Sequence, residues 1–487
     1  MQQPQPEESL STIPPLPGGS EEDKRRAEAR RRVRLMTGQW FGDLQRHMAQ
    51  HFDVVRERIV GKPDLSTNLL KSIARQLGVL YDCQPTIHHE EARSAEVATA
   101  VLEAAGWQAL GTRVQRFAIA IRECLLRPTL TSKGLLLRVV TPDLVHAVAS
   151  SDEPDVPVRV VEARVRSLRG RDRWLWDDLD IRDPAAPVYR VMLPRQEPAE
   201  PEDVTEEVLG GPMSGPAYPF RGADGALVLP YALYHAERTN ELWSWGEDVE
   251  AVEGTLTDAV LWSWWLHNVR DAAWAQRWGL DVEPRGAGSA GAGRSRTSSV
   301  ATDPSSVFLL RSSGDRASIG QWNPPIDPLT LGTALAEFEQ RLLIHFGLSS
   351  SDVERTTGGP ESGYAITLRR DSVREAQRRF AAQFERADRQ LLRIVAALLR
   401  AVAGPVQMAD DGYSIVYPGP PRSASETTAE IERMEMMIAH GLASRVDAYM
   451  AMHPGLLREQ ALTELERIAA ENRLLGVMPG APPPRSP

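Results

Sequence analysis

Cysteine is almost missing from this chain: Cys83 and Cys124 are the only two in 487 residues. Two thiols cannot build a disulfide framework or a cysteine-rich zinc site, so stability has to come from packing. Long apolar runs are missing too. None approaches the roughly 18 residues that a membrane span requires, and the N-terminal MQQPQPEESLSTIPPLPGG has neither the basic start nor the apolar stretch of a secretory signal. The expectation is a product of the cytoplasm with no membrane role. Positive charge is in deficit, 56 Lys and Arg against 66 Asp and Glu for a net −10. Such a chain does not coat nucleic acid by neutralising phosphates, and any contact with DNA is expected to be local. Lysine is scarce, at Lys24, Lys62, Lys71 and Lys133 alone; beside abundant Arg, Ala, Gly and Pro this reads as the composition of a GC-rich genome.

What is present is ordinary globular material. Hydrophobic residues at 42% and charged residues at 25% exclude collagen, rods and wholesale disorder, and the length allows two to four domains. Both ends, 1–20 and 479–487, are rich in Pro, Gly or Ser and are expected to be disordered. A basic run from Arg25 to Arg34 precedes Leu35, Trp40, Leu44 and Met48 at helical spacing, and is expected to be a solvated helix face. Helical patterns continue from 66 to 126. The period then changes to two in LLLRVV, VRVVEARVRSL, RWLWDDLDI and VYRVMLP, which predicts a sheet with one solvated face. LVLPYALYHA reads as one more strand.

The chain then turns helical again. Residues 252–275 lack proline and would run about 36 Å as a single helix. Residues 327–347 form a second, with Leu331, Leu335, Phe338 and Leu342 as its apolar stripe. A polar stretch leads through YAITLRR, read as a strand, into a third helix over roughly 371–403. From Arg369 to Arg400 this last region carries nine arginines. Short helices separated by Gly441 and His453-Pro454-Gly455 close the chain.

No catalytic centre emerges. Gly286, Gly288 and Gly291 match a dinucleotide fingerprint by letter, and Arg294 stands where a phosphate loop needs lysine, yet Pro284-Arg285 precedes the match and Arg-Ser-Arg-Thr-Ser-Ser follows it. Without a strand feeding the turn and a helix receiving the phosphate, 284–299 is expected to be a flexible basic loop. His88-His89-Glu90-Glu91 lacks the i, i+4 spacing of helical metal sites and reads as a surface cluster. Asp177, Asp178 and Asp180 read as a strand edge entering a turn. Trp262, Trp264 and Trp265 beside Leu261 and Leu266 leave no polar face there, so that helix is expected to be covered on most sides.

The order of these segments is what stands out: a strand-rich region, the apolar Leu229-Pro230-Tyr231 strand, a long helix, a loop-and-strand excursion and a second long helix. A polar loop, Ser362-Gly363-Tyr364-Ala365 and a long basic helix follow, and then Glu430 to Met434, Gly441 to Arg445 and Glu464 to Glu471. Over roughly 130–475 this resembles the portal proteins of tailed bacteriophages. The resemblance implies an α+β, portal-like ring subunit with helical stem, α/β wing, small β-containing clip and helical crown.

On that resemblance, 1–20 is a disordered tail and 21–251 the wing, with stem helices at 252–277 and 326–348. The clip spans 278–325, the tunnel loop 349–362, the wing's long helix and connection 363–423, the crown 424–478, and 479–487 is a second disordered tail. The implied role is a homo-oligomeric ring, usually of twelve subunits, at one capsid vertex of a virion, assembled in the bacterial host cytoplasm. It would be the channel for DNA packaging and ejection, with double-stranded DNA in transit and with the terminase large subunit, a head-completion or adaptor protein and the major capsid protein as partners. No cofactor, metal, membrane or catalytic role is implied. Ser349, Ser350, Ser351, Asp352, Glu354, Arg355, Thr356 and Thr357 would face the DNA. Arg285, Arg294 and Arg296 would meet clip partners, and Trp262, Trp264, Trp265, Leu331, Leu335, Phe338 and Leu342 would pack the stem and its subunit contacts. The alternatives are a nucleotide-binding enzyme using the Gly-rich loop 284–299 and another ring-forming head–tail adaptor.

Overall fold

The computed structural model describes residues 13–51, 64–131, 133–195, 200–209, 219–238, 240–244, 248–273, 276–280, 282–284, 310–312, 318–322, 327–348, 363–403, 408–418, 424–453 and 458–474. The fold is mixed α and β. It divides into two compact units, one of Met1–Thr37, Lys71–Asp248 and Gly347–Pro487, the other of Gly38–Leu70 and Val249–Phe346.

Among the described residues the larger unit holds two main antiparallel sheets and two two-stranded ladders, Thr86–His88 with Ser414–Val416 and Phe220–Arg221 with Leu227–Val228. Five strands form a meander in chain order: Val145–Ala149, Pro157–Leu168, Arg171–Asp180, Val188–Leu193 and Glu202–Asp203. Its tightest turn joins Leu168 to Arg171 through Arg169 and Gly170, both with positive φ (53° and 73°). That is the combination a two-residue hairpin needs to match strand twist. Arg169, unusual in this conformation, is held by ion pairs to Glu202 and Glu207.

The second sheet places Glu123–Thr131 between Ala232–His235 and Gly134–Val140. Leu125, Val140, Val145, Val160, Leu179, Tyr231 and Leu233 fill the core between the two sheets. The central strand was not legible in the sequence, because the helical pattern runs up to it and Pro128 interrupts it. Pro128 is tolerated because Ala232–His235 pairs only with Glu123 to Leu126, so the proline lies where the strand is bonded on one side alone.

Two like-charged pairs face each other across this core. Arg127 and Arg138 are direct cross-strand partners in one sheet, and Glu162 and Asp177 are direct partners in the other. Either pair alone would repel. Together they clasp: Arg127 Nη1 donates to Glu162 Oε2 (2.5 Å) and Asp177 Oδ2 (2.8 Å), Arg138 Nη2 donates to Glu162 Oε1, and the Tyr231 hydroxyl donates to Glu162 Oε2 (2.9 Å). Asp177 is therefore an interior residue, not the strand edge its neighbours suggested. The Asp-Asp sequence resembles a turn only until the period-two pattern is assigned to a face, which sends Asp177 inward and Asp178 out to Arg159.

The basic run corrects a second expectation. In the Ser20–Thr37 helix, Arg25, Arg26 and Arg32 are buried. Arg25 donates to the carbonyls of Pro142 (3.2 Å) and Val145 (2.6 Å) and stacks on Trp243, while Arg26 donates to the carbonyls of Leu16 (3.2 Å) and Pro17 (3.0 Å). A run of arginines is a solvated face only when nothing nearby offers it carbonyls.

A third correction concerns YAITLRR. It belongs to one continuous helix, Gly363–Ala403, of 41 residues and about 60 Å. Its apparent alternation is short, and the proline-free run of good helix formers after it propagates the helix backward through it. The C-terminal half buries Phe380, Phe384, Ala387, Leu391, Leu392, Val395 and Leu398 at helical spacing. Set among them is Asp388, which accepts from the hydroxyls of Tyr81 (2.6 Å), Tyr234 (2.6 Å) and Tyr417 (2.5 Å) and from Trp107 Nε1 (3.3 Å). Beyond it, Gly441 with φ 68° ends the Ala424–Ala439 helix region. Ser444 then opens Arg445–Met452 with a capping box to Asp447.

In the smaller unit, the observed helices Val249–Ala273 and Pro328–His345 fall close to the expected 252–275 and 327–347. Asp327 caps the second by accepting from Leu329 N. The excursion between them contains two antiparallel strand pairs, Gln276–Leu280 with Ser318–Trp322 and Val282–Pro284 with Leu310–Ser312. Pairing with Gln276–Leu280, not composition, makes Ser318–Trp322 a strand.

Two predictions follow from the buried charges. Glu162→Gln leaves Arg127 and Arg138 opposed without their bridge, and should cost roughly 3–5 kcal/mol in denaturant unfolding. Asp388 sits at about 6, above the usual 3.8, because burial outweighs its four donors. The folded state therefore holds a proton that the unfolded state releases between those values. That contribution to stability is full below pH about 4 and is lost as pH rises through about 6. Asp388→Asn should flatten this part of the stability curve, read as a smaller difference in unfolding midpoint between pH 4.5 and pH 7 than in the unmodified protein.

Candidate functional site: the paired helices of the smaller unit

The two helices of this unit run antiparallel, with residue 254 near 342, 262 near 339 and 265 near 332. One glycine marks a close approach. A Cβ on Gly254 would stand 2.8 Å from Leu342 Cδ1, so its absence lets that side chain lie directly on the backbone. At Gly332 a Cβ would be in ordinary contact, 3.6 Å from Trp265 Nε1. Trp262 Nε1 donates to Glu339 Oε1 (2.7 Å), and the Trp262 and Trp265 rings meet edge to face, 5.3 Å between centroids.

Of the residues singled out for stem packing, Leu335 is buried, while Trp262, Trp264, Trp265, Leu331, Phe338 and Leu342 are half-buried. The tryptophans are thus less covered by their own chain than their clustering suggested. Leu266, Leu329 and Ile344 stand open, at 45%, 78% and 59% exposure. Sequence reasoning missed Gly254, Leu343 and Asp258. The small residues Thr255, Ala259 and Ser263 at i, i+4 spacing were the available signal for a closely packed face.

Polar side chains sit on the inner side of the first helix. Thr255 Oγ1 accepts from Leu70 N (3.0 Å), Ser263 Oγ accepts from Asp64 N (2.7 Å), and His47 lies between Thr257 and Glu253. Asp258 is fully buried, and neither carboxylate oxygen has a hydrogen-bond partner among the described residues. Burial first, and then the nearby Glu339 charge, push it up to about 7. Near neutral pH this carboxyl is therefore divided between its protonated and charged forms. The more open charges are mainly acidic, with Glu250, Glu253 and Glu337 against Arg341.

The expected clip residues Arg285, Arg294 and Arg296, the Gly-rich 286–299 stretch and the whole 349–362 segment, Ser349 to Thr357 included, lie outside the described residues. His88 and His89 belong to the larger unit: His88 pairs with Ser414 in a two-stranded ladder, and His89 contacts the Asp411 carbonyl and the Tyr413 ring. Among the described residues no cluster of three or more His, Cys, Asp or Glu has the arrangement to hold a metal ion, and no helix is long and apolar enough to cross a membrane. What the helix pair can do chemically is present an acidic, nucleophile-poor surface with apolar side chains left open to other chains.

No family model and no curated protein matches the chain. Among solved structures it is similar to a chain from the neck of an empty GTA particle computed with C6 symmetry, at 12% identity over 84% of this chain and 93% of that one, with a TM-score of 0.39. It is also similar to a chain from the virion of a native gene transfer agent particle, at 12% identity over 90% and 94%, with a TM-score of 0.37.

Proposed function

We propose that the chain is a portal-type subunit whose copies close into a ring at a capsid vertex, the two helices of the smaller unit forming the wall of a channel for double-stranded DNA. The observation that carries this reading is that helix pair. It is antiparallel, joined through a strand-paired excursion, acidic on its open side, and furnished with uncovered Leu266, Leu329 and Ile344. Side-to-side contacts that close on rotation give a ring, and they cover such residues with the neighbouring copy. An acidic wall keeps the phosphate backbone from sticking during transit.

In this reading the excursion 278–325 is the clip, where the terminase large subunit docks during packaging and a head-completion or adaptor protein docks later. The segment 349–362 is the tunnel loop, 424–478 the crown, and the larger unit supplies the wing against the major capsid protein. The motor supplies ATP hydrolysis, so the portal itself carries no catalytic residue.

Electron micrographs of the purified protein should show rings with a central channel; a monodisperse folded monomer at micromolar concentration would overturn the proposal. Leu266→Glu with Ile344→Glu should keep the helical circular dichroism and shift rings toward monomers in light scattering. Replacing 352–359 by a short Gly-Ser link should leave rings intact and lower the DNA packaged or retained. Full genomes in such particles would remove the loop from the channel.

A further inference from the structure

The clasp between the two sheets of the larger unit is not balanced. Arg138 reaches Glu162, but besides Arg127 both Arg166 Nη2 (2.6 Å) and Arg164 Nη1 (3.4 Å) reach Asp177 Oδ2. Three guanidinium groups thus converge on one carboxylate oxygen. Four arginines stand against two fully buried carboxylates, leaving two positive charges in a partly dehydrated place, where Arg127 and Arg166 are mostly covered and Arg138 and Arg164 are 31% and 29% exposed. Guanidinium groups keep their charge at any working pH, and charge held away from water needs a counter-charge.

A cavity of about 400 Å³ opens beside the surplus. Arg127, Arg164, Arg166 and Tyr189 supply its polar wall, with Leu179 and Phe220 among its apolar lining. Arg166 Nε is buried with no hydrogen-bond partner among the described residues. Arg164 spends only its one long bond to Asp177. Burial lowers the proton affinity of Arg164 below its usual value despite Asp177 beside it, as expected of a cation short of negative charge. Asp177 itself is held below the usual carboxylate range: burial raises it, and Arg127, Arg166 and Arg164 overcome that. It is already shared among three partners.

We propose that this cavity binds a small doubly charged oxyanion of the phosphate class, seated on the free edges of Arg164 and Arg166. The charge matches the surplus, and the planar guanidinium fork suits a tetrahedral oxyanion better than a spherical chloride. The volume admits either orthophosphate or a phosphate monoester. The site is complete within the larger unit of one chain, whose long helix adds Leu398 and whose short Thr205–Leu209 helix adds Val208 to the lining.

The test uses the full chain in potassium phosphate against potassium chloride at equal pH and ionic strength. The unfolding midpoint should rise with the logarithm of phosphate concentration and not with chloride. Calorimetric titration with orthophosphate and with adenosine monophosphate tells free phosphate from a monoester, and binding of either supports the site. Arg164→Gln with Arg166→Gln should abolish the response, while Arg169→Gln, an exposed arginine outside the cavity, should retain it. Equal effects of phosphate and chloride, or a response that survives the double substitution, would mean an adventitious ion only. A response to duplex DNA without one to orthophosphate also overturns the proposal. If the double variant does not fold, Thr129→Trp narrows the cavity without removing charge; phosphate binding must then fall at least tenfold, and unchanged binding overturns the site.

Discussion

Two repulsive pairs made attractive by facing each other are the constraint on which the larger unit depends. Arg127 beside Arg138 and Glu162 beside Asp177 are each unfavourable within their own sheet. Only one relative placement of the two sheets cancels both. Because side chains alternate along a strand, a slip of one residue would turn Glu162 toward the opposite face, where Val161 and Ala163 now pack with Leu16. The clasp adds little net stability compared with an apolar core, but it penalises every wrong register, a role in which buried charge is best attested.

From that placement the rest follows in order. Tyr231, fixed by its bond to Glu162, immediately precedes the Ala232–His235 strand, and Tyr234 on that strand reaches Asp388 on the long helix. Asp388 then gathers Tyr81, Trp107 and Tyr417, residues remote in sequence from it and from one another. The two polar nodes are thus joined through four consecutive positions, Tyr231 to Tyr234, so sheet register and helix position are set together. Four neutral donors around a lone carboxylate satisfy its lone pairs without a cation, which leaves its charge sensitive to pH while its geometry stays held.

Periodicity made the helix pair and most of the meander legible, because a three-turn helix and a ten-residue strand repeat their pattern often enough to be read. What escaped was decided by partners distant in sequence. The Glu123–Thr131 strand contains a proline that only its neighbour's short length makes harmless. YAITLRR has strand alternation over too few residues to resist the helix that follows. Asp177 looked like a turn residue until three arginines from two strands were brought to it. In the helix pair, the tryptophan cluster announced contact surface, but Gly254 by itself does not say that Leu342 lies opposite.

The preference for arginine over lysine, which as composition alone carried no structural meaning, becomes physical in this fold. Arg25 satisfies two carbonyls and lies over the Trp243 ring, Arg26 satisfies two more carbonyls, and Arg127 joins two carboxylates while buried. Each task needs several donors in a fixed plane, and a lysine ammonium offers three on a flexible stem with a more tightly held hydration shell. Replacing these residues by lysine would keep the formal charge and lose the carbonyl and carboxylate partners at the same time. A chain of net negative charge can thus keep some of its arginines inside as multivalent polar cross-links.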